Sequence, residues 1–428
     1  MAYGSAHVRT VILQEETTFG TAPAGWNDGS GGLAFLCIEP NVESVGQTAI
    51  ENQNYRQRSL ATREMVHGLR NCTMSFGVYA HGRGGSAVLE AASATTDYQD
   101  NLMENAWGGS LLGLHANLEA GSTTTVLNVA AGQGASLLAG SALFICDAGD
   151  SNRGRFVVVG SRSTDALTLK IAAPAAAIAA ADTGGAVITS YFDTDALKNQ
   201  NDAGYITHCF FVRGELADDN QEVRGCKLNL TAIEGLTPGE APILRFEALC
   251  ATHDNEGLTA PTGYTDPEGD APIVTATGSD TFVSIVAYGT PTMVDVECQG
   301  FTITPGVISQ PVPCLGGVEG RSGYTMTGFD ATMIEVVLDY DDAWAIGWEA
   351  GTTYHVLVQV GSTAGTAIGW YAPRCEIMED PKRTVSTDMA SVTIKFRCLE
   401  DSSTTVATGN QLELYRSKLI YMRSVPIA

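Results

Sequence analysis

The sequence predicts a mainly β protein: two tandem copies of one β-sandwich or barrel fold, each with a short helix, and a small β domain inserted into the first copy. Three observations lead there. Segments such as Val392-Thr393-Ile394-Lys395-Phe396-Arg397-Cys398 alternate apolar and polar side chains, the period-2 pattern of a half-buried antiparallel strand. Short phrases recur in the same order along the chain. The spacing between recurrences then falls partway through, as an insertion in one copy requires.

The recurrences set the boundaries. Asp97-Tyr98-Gln99-Asp100 followed by Trp107 returns as Asp339-Tyr340-Asp341-Asp342 followed by Trp348, at offsets of 242 and 241. Upstream, Gly68 and Thr73-Met74 return as Gly320 and Thr325-Met326 at an offset of 252. Downstream, Tyr205 and Cys226 match Tyr354 and Cys375 at 149, and Arg245-Phe246 matches Lys395-Phe396 at 150. This arithmetic assigns 1–108 and 201–262 to a discontinuous first copy, 109–200 to the insert, 263–280 to a linker and 281–428 to the second copy.

Taken in order, the first copy carries a long polar stretch between Val45 and His67, locally basic through Arg56, Arg58 and Arg63 in an acidic chain. Long loops of this kind are functional or disordered. A helix is expected at Ser86–Ser93, after Gly84-Gly85. The insert is rich in Gly, Ala, Ser and Thr, with short strands expected at Thr124–Asn128, Ala142–Cys146, Arg155–Val159, Leu167–Ile171 and Ala186–Tyr191, a small barrel or sandwich. The run Ala172–Ala181, broken by Pro174, reads as a helix or a loop.

Further on, Cys226, Leu228 and Leu230 alternate with Lys227, Asn229 and Thr231, and Leu244, Phe246, Ala248 and Cys250 alternate with Arg245, Glu247 and Leu249. Pro261, Gly263, Pro267, Gly269 and Pro272 mark the linker. In the second copy, residues 305–319 stand where the basic loop stood but carry Pro305, Pro311 and Pro313. Thr332–Leu338 is ambiguous between helix and strand, and Tyr354, Val356, Val358 and Val360 form one face of a strand. Each of these strands is expected to have one wet face.

At 428 residues the chain exceeds one core. Its formal charge of −24, spread over the whole length, gives no counterion-release gain on DNA and argues against a sequence-reading DNA binder. The N-terminal residues lack a signal pattern and no window reaches 18 apolar residues, so a soluble protein made in the cytosol is expected. The ten cysteines are scattered without a C-x-x-C pair and read as small buried hydrophobes rather than disulfides or zinc ligands.

Catalytic patterns are weak. Gly149-Asp150-Ser151-Asn152 resembles an esterase nucleophile block but no histidine has Asp three residues earlier, so a turn is the better account. His81-Gly82-Arg83-Gly84-Gly85 has no G-x-S-x-G elbow to accompany it. Asp339, Asp341 and Asp342 lack the further oxygen ligands and glycine of a calcium loop and read as a solvated acidic turn. No enzyme, cofactor or metal is expected.

The opening Val11-Ile12-Leu13-Gln14-Glu15-Glu16-Thr17-Thr18-Phe19-Gly20-Thr21-Ala22-Pro23 resembles the start of bacteriophage tail tube (major tail) proteins, and so does Arg224–Leu230 leading through Gly239-Glu240-Ala241-Pro242 to Leu244-Arg245-Phe246. The second copy lacks that opening and is similar mainly in its strand pattern. The resemblance implies tail-tube-type sandwich folds whose inner strands join neighbours into a closed tube. Rings of six folds stack along the tail, with a long loop reaching the next ring. Two folds per chain then give a trimeric ring of pseudo-hexameric symmetry. Tyr55, Arg56, Arg58, Arg63, Pro311 and Pro313 become candidates for contacts between rings, the arginines through bidentate carboxylate contacts. The implied partners are copies of the chain, a tape measure protein and the tail terminator and baseplate proteins. DNA passes without specific binding through a carboxylate-lined lumen, and the insert sits outside. The implied place is the virion tail, assembled in the bacterial host cytoplasm. The competing readings are another virion structural protein (baseplate hub, tail terminator or decoration protein) and a glycan-binding protein or hydrolase, for which no cluster of carboxylates and aromatics is visible.

Overall fold

The computed structural model describes residues 9–23, 33–45, 49–50, 66–67, 71–82, 98–145 apart from 120, 136, 138–139 and 141, 154–171, 185–193, 208–212, 220–255 apart from 238, positions 258 and 261, 281–401 apart from 330, 382 and 387–388, and 418–424. In chain order, β1 (Arg9–Glu15), β2 (Leu33–Val45), the short pair β3 (Ala49–Ile50) and β4 (Val66–His67), and β5 (Asn71–Tyr79) lead to helix α1 (Tyr98–Trp107). Strand β6 (Gly108–Asn117) leaves for β7 (Val126–Asn128), β8 (Ala142–Phe144), β9 (Phe156–Arg162) and β10 (Ala166–Ile171), and β11 (Gly185–Asp193) returns. Next come β12 (His208–Val212), β13 (Gln221–Leu236), β14 (Ile243–Cys250) and β15 (Thr252–Asp254). The last part contains β16 (Thr281–Ala287), β17 (Asp295–Val296), β18 (Cys298–Thr304), β19 (Val307–Val318), β20 (Arg321–Phe329) and β21 (Met333–Asp339), then helix α2 (Asp342–Glu349). It ends with β22 (Thr353–Val360), β23 (Ile368–Ile377), β24 (Arg383–Ser386), β25 (Met389–Cys398) and β26 (Ile420–Ser424).

The protein is mainly β, and its first part contains a closed six-stranded barrel. Strand β1 pairs with β2 and β12, β2 with β5, β5 with β14, β14 with β13 and β13 with β12, all antiparallel. Closure leaves no exposed edge around this circuit. Alternation directs Phe35, Phe76, Phe210 and Phe246 inward, and Phe76 meets the other three rings at centroid distances of 5.7, 5.8 and 5.5 Å. In the second part, β16 pairs with β22, β22 with β23, β23 with β25, β25 with β21 and β21 with β18. Strand β17, one residue before β18, pairs back on β16 through Val283↔Val296 and Ser284↔Asp295. Both circuits therefore visit their strands in the same chain order, and in both a helix follows the third strand.

The two helices among the described residues are α1 and α2. They coincide with the recurrent acid–aromatic phrase, and Trp107 and Trp348 each stand in the last turn. Asp341 is the N-cap of α2, its carboxylate accepting the Ala343 N–H at 2.9 Å, so the supposed solvated turn is a helix start. Thr332–Leu338 falls, but for Thr332, in strand β21, where Ile334, Val336 and Leu338 are buried and alternate with half-exposed neighbours. The Ser86–Ser93 helix, the Ala172–Ala181 run, the Gly149–Asn152 turn and the 263–280 linker lie outside the described residues. The Thr73-Met74 and Thr325-Met326 echo joins unlike elements. Thr73 lies on barrel strand β5, whereas Thr325 lies on β20, which pairs with β19.

Four of the five strands expected in the insert form one sheet, in the order β7-β10-β9-β8. The fifth lies in β11, which pairs with β6 and with β26 and so ties the insert's root to the second barrel. Strand β8 and the first half of β9 are buried on both faces. Leu143, Val157 and Val159 point into the insert's own core with Leu118, Leu127 and Leu167. Phe144, Phe156 and Val158 point the other way, onto Val286, Leu357, Tyr371, Ile420 and Met422 on the outside of the second barrel. That cover removes an expected wet face: His355, Leu357 and Gln359 are as buried as Tyr354, Val356 and Val358 beside them. The Gln359 amide bridges the two bodies, donating to Gly154 O and accepting from Phe156 N–H at 3.0 Å.

A second wet face is lost on β13. Lys227 has no exposed surface, and its Nζ donates to Asn105 O at 2.7 Å and Asn105 Oδ1 at 3.1 Å. It meets the carbonyl end of α1, where a cation is favoured, and burial pushes its pKa down to about 7. Strands β14 and β25 keep the expected alternation, with Arg245, Glu247, Lys395 and Arg397 outward. The nine described cysteines are all free thiols, six of them buried.

Candidate assembly surface

Strand β13 runs 16 residues, longer than its barrel needs. After a bulge between Leu230 and Ala232 it leaves β12 and β15 behind. There it pairs with β14 on one side and, through Ile233↔Ile303 and Leu236↔Phe301, with β18 of the second barrel on the other. The two barrels are thereby stitched into one continuous antiparallel face, β2-β5-β14-β13-β18-β21-β25-β24. Ile233 and Ile303 point inward from this face with no exposed surface, while Thr231, Glu234 and Thr302 point outward.

The outward side is polar and carries more carboxylates than cations. Arg245 Nε lies 3.0 Å from Glu234 and its Nη1 3.5 Å from Glu39; Lys395 Nζ lies 3.0 Å from Glu379; Arg397 Nη1 lies 3.9 Å from Glu376. Glu43, Glu247 and Glu335 add charge to the same side. Such solvent-exposed pairs contribute about 0–1 kcal/mol each, so this side is built to stay wet rather than to hold the fold. Each end of the face is open among the described residues. Residues Asn41–Val45 of β2 pair with β5 alone, because β1 covers only Leu33–Cys37, and β24 pairs with β25 alone.

The hairpin β19–β20 projects from the second barrel and lies across the first. Arg321, 6 % exposed, donates to Asn71 Oδ1, to Cys250 O and to the Tyr324 hydroxyl. Phe19 meets the Tyr324 ring edge-on at 6.0 Å, and Val318 closes over Gly20, whose φ of +69° and crowded Cβ position both favour glycine. Ser309 Oγ donates to Asn229 Oδ1, which is why Asn229 is buried rather than wet. Pro311 and Pro313 lie exposed on β19, near the tip where Leu315 is fully exposed. Tyr55, Arg56, Arg58 and Arg63 lie outside the described residues, so this hairpin alone represents the candidate contacts.

Sequence reasoning missed Ile233, Ile303 and Arg321. The length of the β13 pattern, continuing apolar at Ile233 past Thr231, was the one available signal. It missed as well a polar cluster where the insert meets the second barrel. Lys170 on β10 pairs with Asp401, which also accepts from the Tyr288 hydroxyl. Beside them, His355 Nε2 accepts from Gly289 N–H at 3.2 Å, and its Nδ1 lies 3.2 Å from the Tyr371 hydroxyl. Burial, with the nearby Lys170 ammonium, lowers the His355 pKa to about 4, and burial lowers that of Lys170 to about 8. His81 and Gly82, the described part of the glycine-rich phrase, form a joint instead: Arg423 Nε on β26 donates to His81 O at 2.9 Å.

Among the described residues no group of three His, Cys, Asp or Glu side chains is placed to hold a metal ion, and no helix is long and apolar enough to cross a membrane. Compared with protein-family models and with curated proteins, the sequence finds no match.

Proposed function

We propose that the chain is a structural subunit that assembles with copies of itself into closed rings, three chains to a ring, which stack into a tube of the phage-tail type. The observation that carries this reading is the single polar sheet face running through both barrels and, among the described residues, open at both ends. Open edges are templates for another strand, and a repeating edge-to-edge contact that closes on itself forms a ring.

The reading treats the two barrels as copies of one fold. Their shared strand order supports it, as do the helices after the third strand. A cysteine pair sits across the fifth and sixth strands of each: Cys226 with Cys250, and Cys375 with Cys398. On that basis β24 occupies the place of the far end of β13, since each runs antiparallel to the start of its barrel's sixth strand. Likewise β2 is the counterpart of β18. The stitch between β13 and β18 inside a chain becomes, between chains, a stitch from β24 to Asn41–Val45 of β2. The acidic outward side then lines the lumen, where carboxylates repel the phosphates of passing DNA. The insert, docked on the opposite side of the second barrel, stays outside the channel.

Electron microscopy of the concentrated chain, with end-on views averaged for symmetry, tests this. Hollow stacked rings with three-fold symmetry are the expected result. Single rings that never stack move the reading to a terminator or hub, and a protein that stays monomeric at every concentration overturns it.

A further inference from the structure

We infer that the hairpin β3–β4 of one copy of this chain lies across the second barrel of a neighbouring copy in the same ring, over the exposed side chain of Met378. The inference rests on the ring reading above and specifies one contact of the joint between chains.

The joint inside the chain is the precedent. Hairpin β19–β20 leaves the second barrel between β18 and β21 and lies across the first barrel, where Ser309 Oγ donates to Asn229 Oδ1 and leaves Asn229 only 7 % exposed. The first barrel has a hairpin in the same place. Strands β3 and β4 pair with each other between β2 and β5 and span 49–67, against 307–329 for β19–β20.

Strand register fixes which residues correspond. The pairing of the fourth strand with the fifth slips at the same point in both barrels, from His208↔Cys226 to Phe210↔Val223 and from Tyr354↔Cys375 to Val356↔Ala372. Cys226 and Cys375 are therefore equivalent, and Met378 stands at the place of Asn229, three residues on. Asn229 pairs with Glu247, and Glu247 with Ser75. In the second barrel the Met378 N–H donates to Lys395 O at 2.9 Å, and Lys395 pairs with Glu335. Ser75 and Glu335 are thus equivalent too. Nine residues before them stand Val66 and Met326, whose partners across the two hairpins are Ile50 and Ser309. Ile50 holds the position of Ser309.

The polar pair Ser309 and Asn229 accordingly has an apolar counterpart, Ile50 and Met378. Inside one chain Met378 is 46 % exposed and lines a groove of about 370 Å³ with Met333, Glu335, Glu379 and Lys395. An apolar side chain within a polar rim has the composition of an interface centre. The surplus of carboxylate in the groove complements segment 51–65, which carries Arg56, Arg58 and Arg63. The hairpin comes from the neighbour whose β2 pairs with β24, because β3 follows β2 in the chain. The contact therefore joins chains within one ring.

The test uses the full-length chain. Met378→Asp, at an exposed position, is expected to leave the thermal transition unchanged and to raise the concentration needed for assembly by about tenfold or more. In a second variant carrying Ile50→Cys and Met378→Cys, a short thiol-to-thiol crosslinker applied to assembled particles is expected to yield covalent dimers and trimers and nothing larger, while neither single cysteine variant does so. Normal assembly of Met378→Asp, or assembled particles of the double variant that run only as monomers on a gel, overturns this contact and leaves the ring reading standing. A ladder continuing beyond trimers overturns its placement within one ring. An unmodified chain that never assembles overturns both readings.

Discussion

Ile233 on β13 and Ile303 on β18 face each other across the line where the first barrel's sheet becomes the second's, and neither has exposed surface. The pair belongs to both barrels at once. A truncation there weakens two cores and the stitch between them.

Ile303→Ala is therefore expected to cost about 2–5 kcal/mol, the range for a large-to-small change in a packed core. Urea unfolding followed by tryptophan fluorescence and by far-ultraviolet circular dichroism measures it. The two signals should coincide in the parent and separate in the variant, because loosening the seam lets one barrel unfold before the other. Coincident, parent-like curves from the variant count against the seam as a coupling element.

The insert carries a second prediction. Phe156 fills the contact between the small sheet and the second barrel, with Phe144 edge-on to it at 4.9 Å. Phe156→Ala should cost about 3–5 kcal/mol. Replacing 118–184 by a short Gly-Ser linker should uncover Leu357, Tyr371, Ile420 and Met422 and promote aggregation. Recovery of soluble, monodisperse protein after that deletion, read by size-exclusion chromatography, contradicts the insert's part in the second barrel's outer core.

What the sequence made legible follows from what period-2 alternation encodes. It reports which side chains face a barrel's interior, and so Leu244 to Cys250 and Val392 to Cys398 were readable to the residue. It is silent on what lies over the other side. Lys227 looked wet because lysine usually is, yet a helix end supplies the carbonyl it needs; His355 and Gln359 looked wet until a domain more than 180 residues upstream covered them. The two described helices went unread for a local reason. Eight to ten residues offer too few turns for a 3.6 period to stand out, and the informative mark was the capping Asp341. The seam between barrels depends on pairing between strands far apart in sequence, which no local pattern records.

Arg321 supports a third prediction. It anchors the β19–β20 hairpin to Asn71 and Cys250 of the first barrel. Arg321→Met keeps most of the volume but leaves Cys250 O and the Tyr324 hydroxyl without this donor, at a cost of about 1–3 kcal/mol. The loss should be local. Hydrogen exchange is expected to speed up in β19 and β20 while β14 and β25 keep their protection. Unchanged exchange in the hairpin shows that Phe19, Val318 and Ser309 hold it without the arginine.

The last prediction concerns acid. His355 is held neutral at the joint between insert and second barrel, its pKa lowered from about 6.5 to about 4 chiefly by burial and then by Lys170. The unfolded chain protonates this ring at its ordinary pKa, so between the two values the unfolded state binds more protons than the folded one. Stability linked to His355 is therefore complete above pH 6.5 and is lost as the pH falls toward 4. The scale is about 3.5 kcal/mol at most, from roughly 1.4 kcal/mol per pKa unit. His355→Gln offers an amide to Gly289 and Tyr371 but cannot take the proton. Melting temperatures of parent and variant, compared at pH 7 and pH 4.5 in one salt concentration, isolate the contribution from the general effect of protonating carboxylates. The parent should lose more than the variant on acidification, and the insert's contact strands β8 and β9 should lose exchange protection first. Equal losses would remove His355 from the account of how the two bodies stay together.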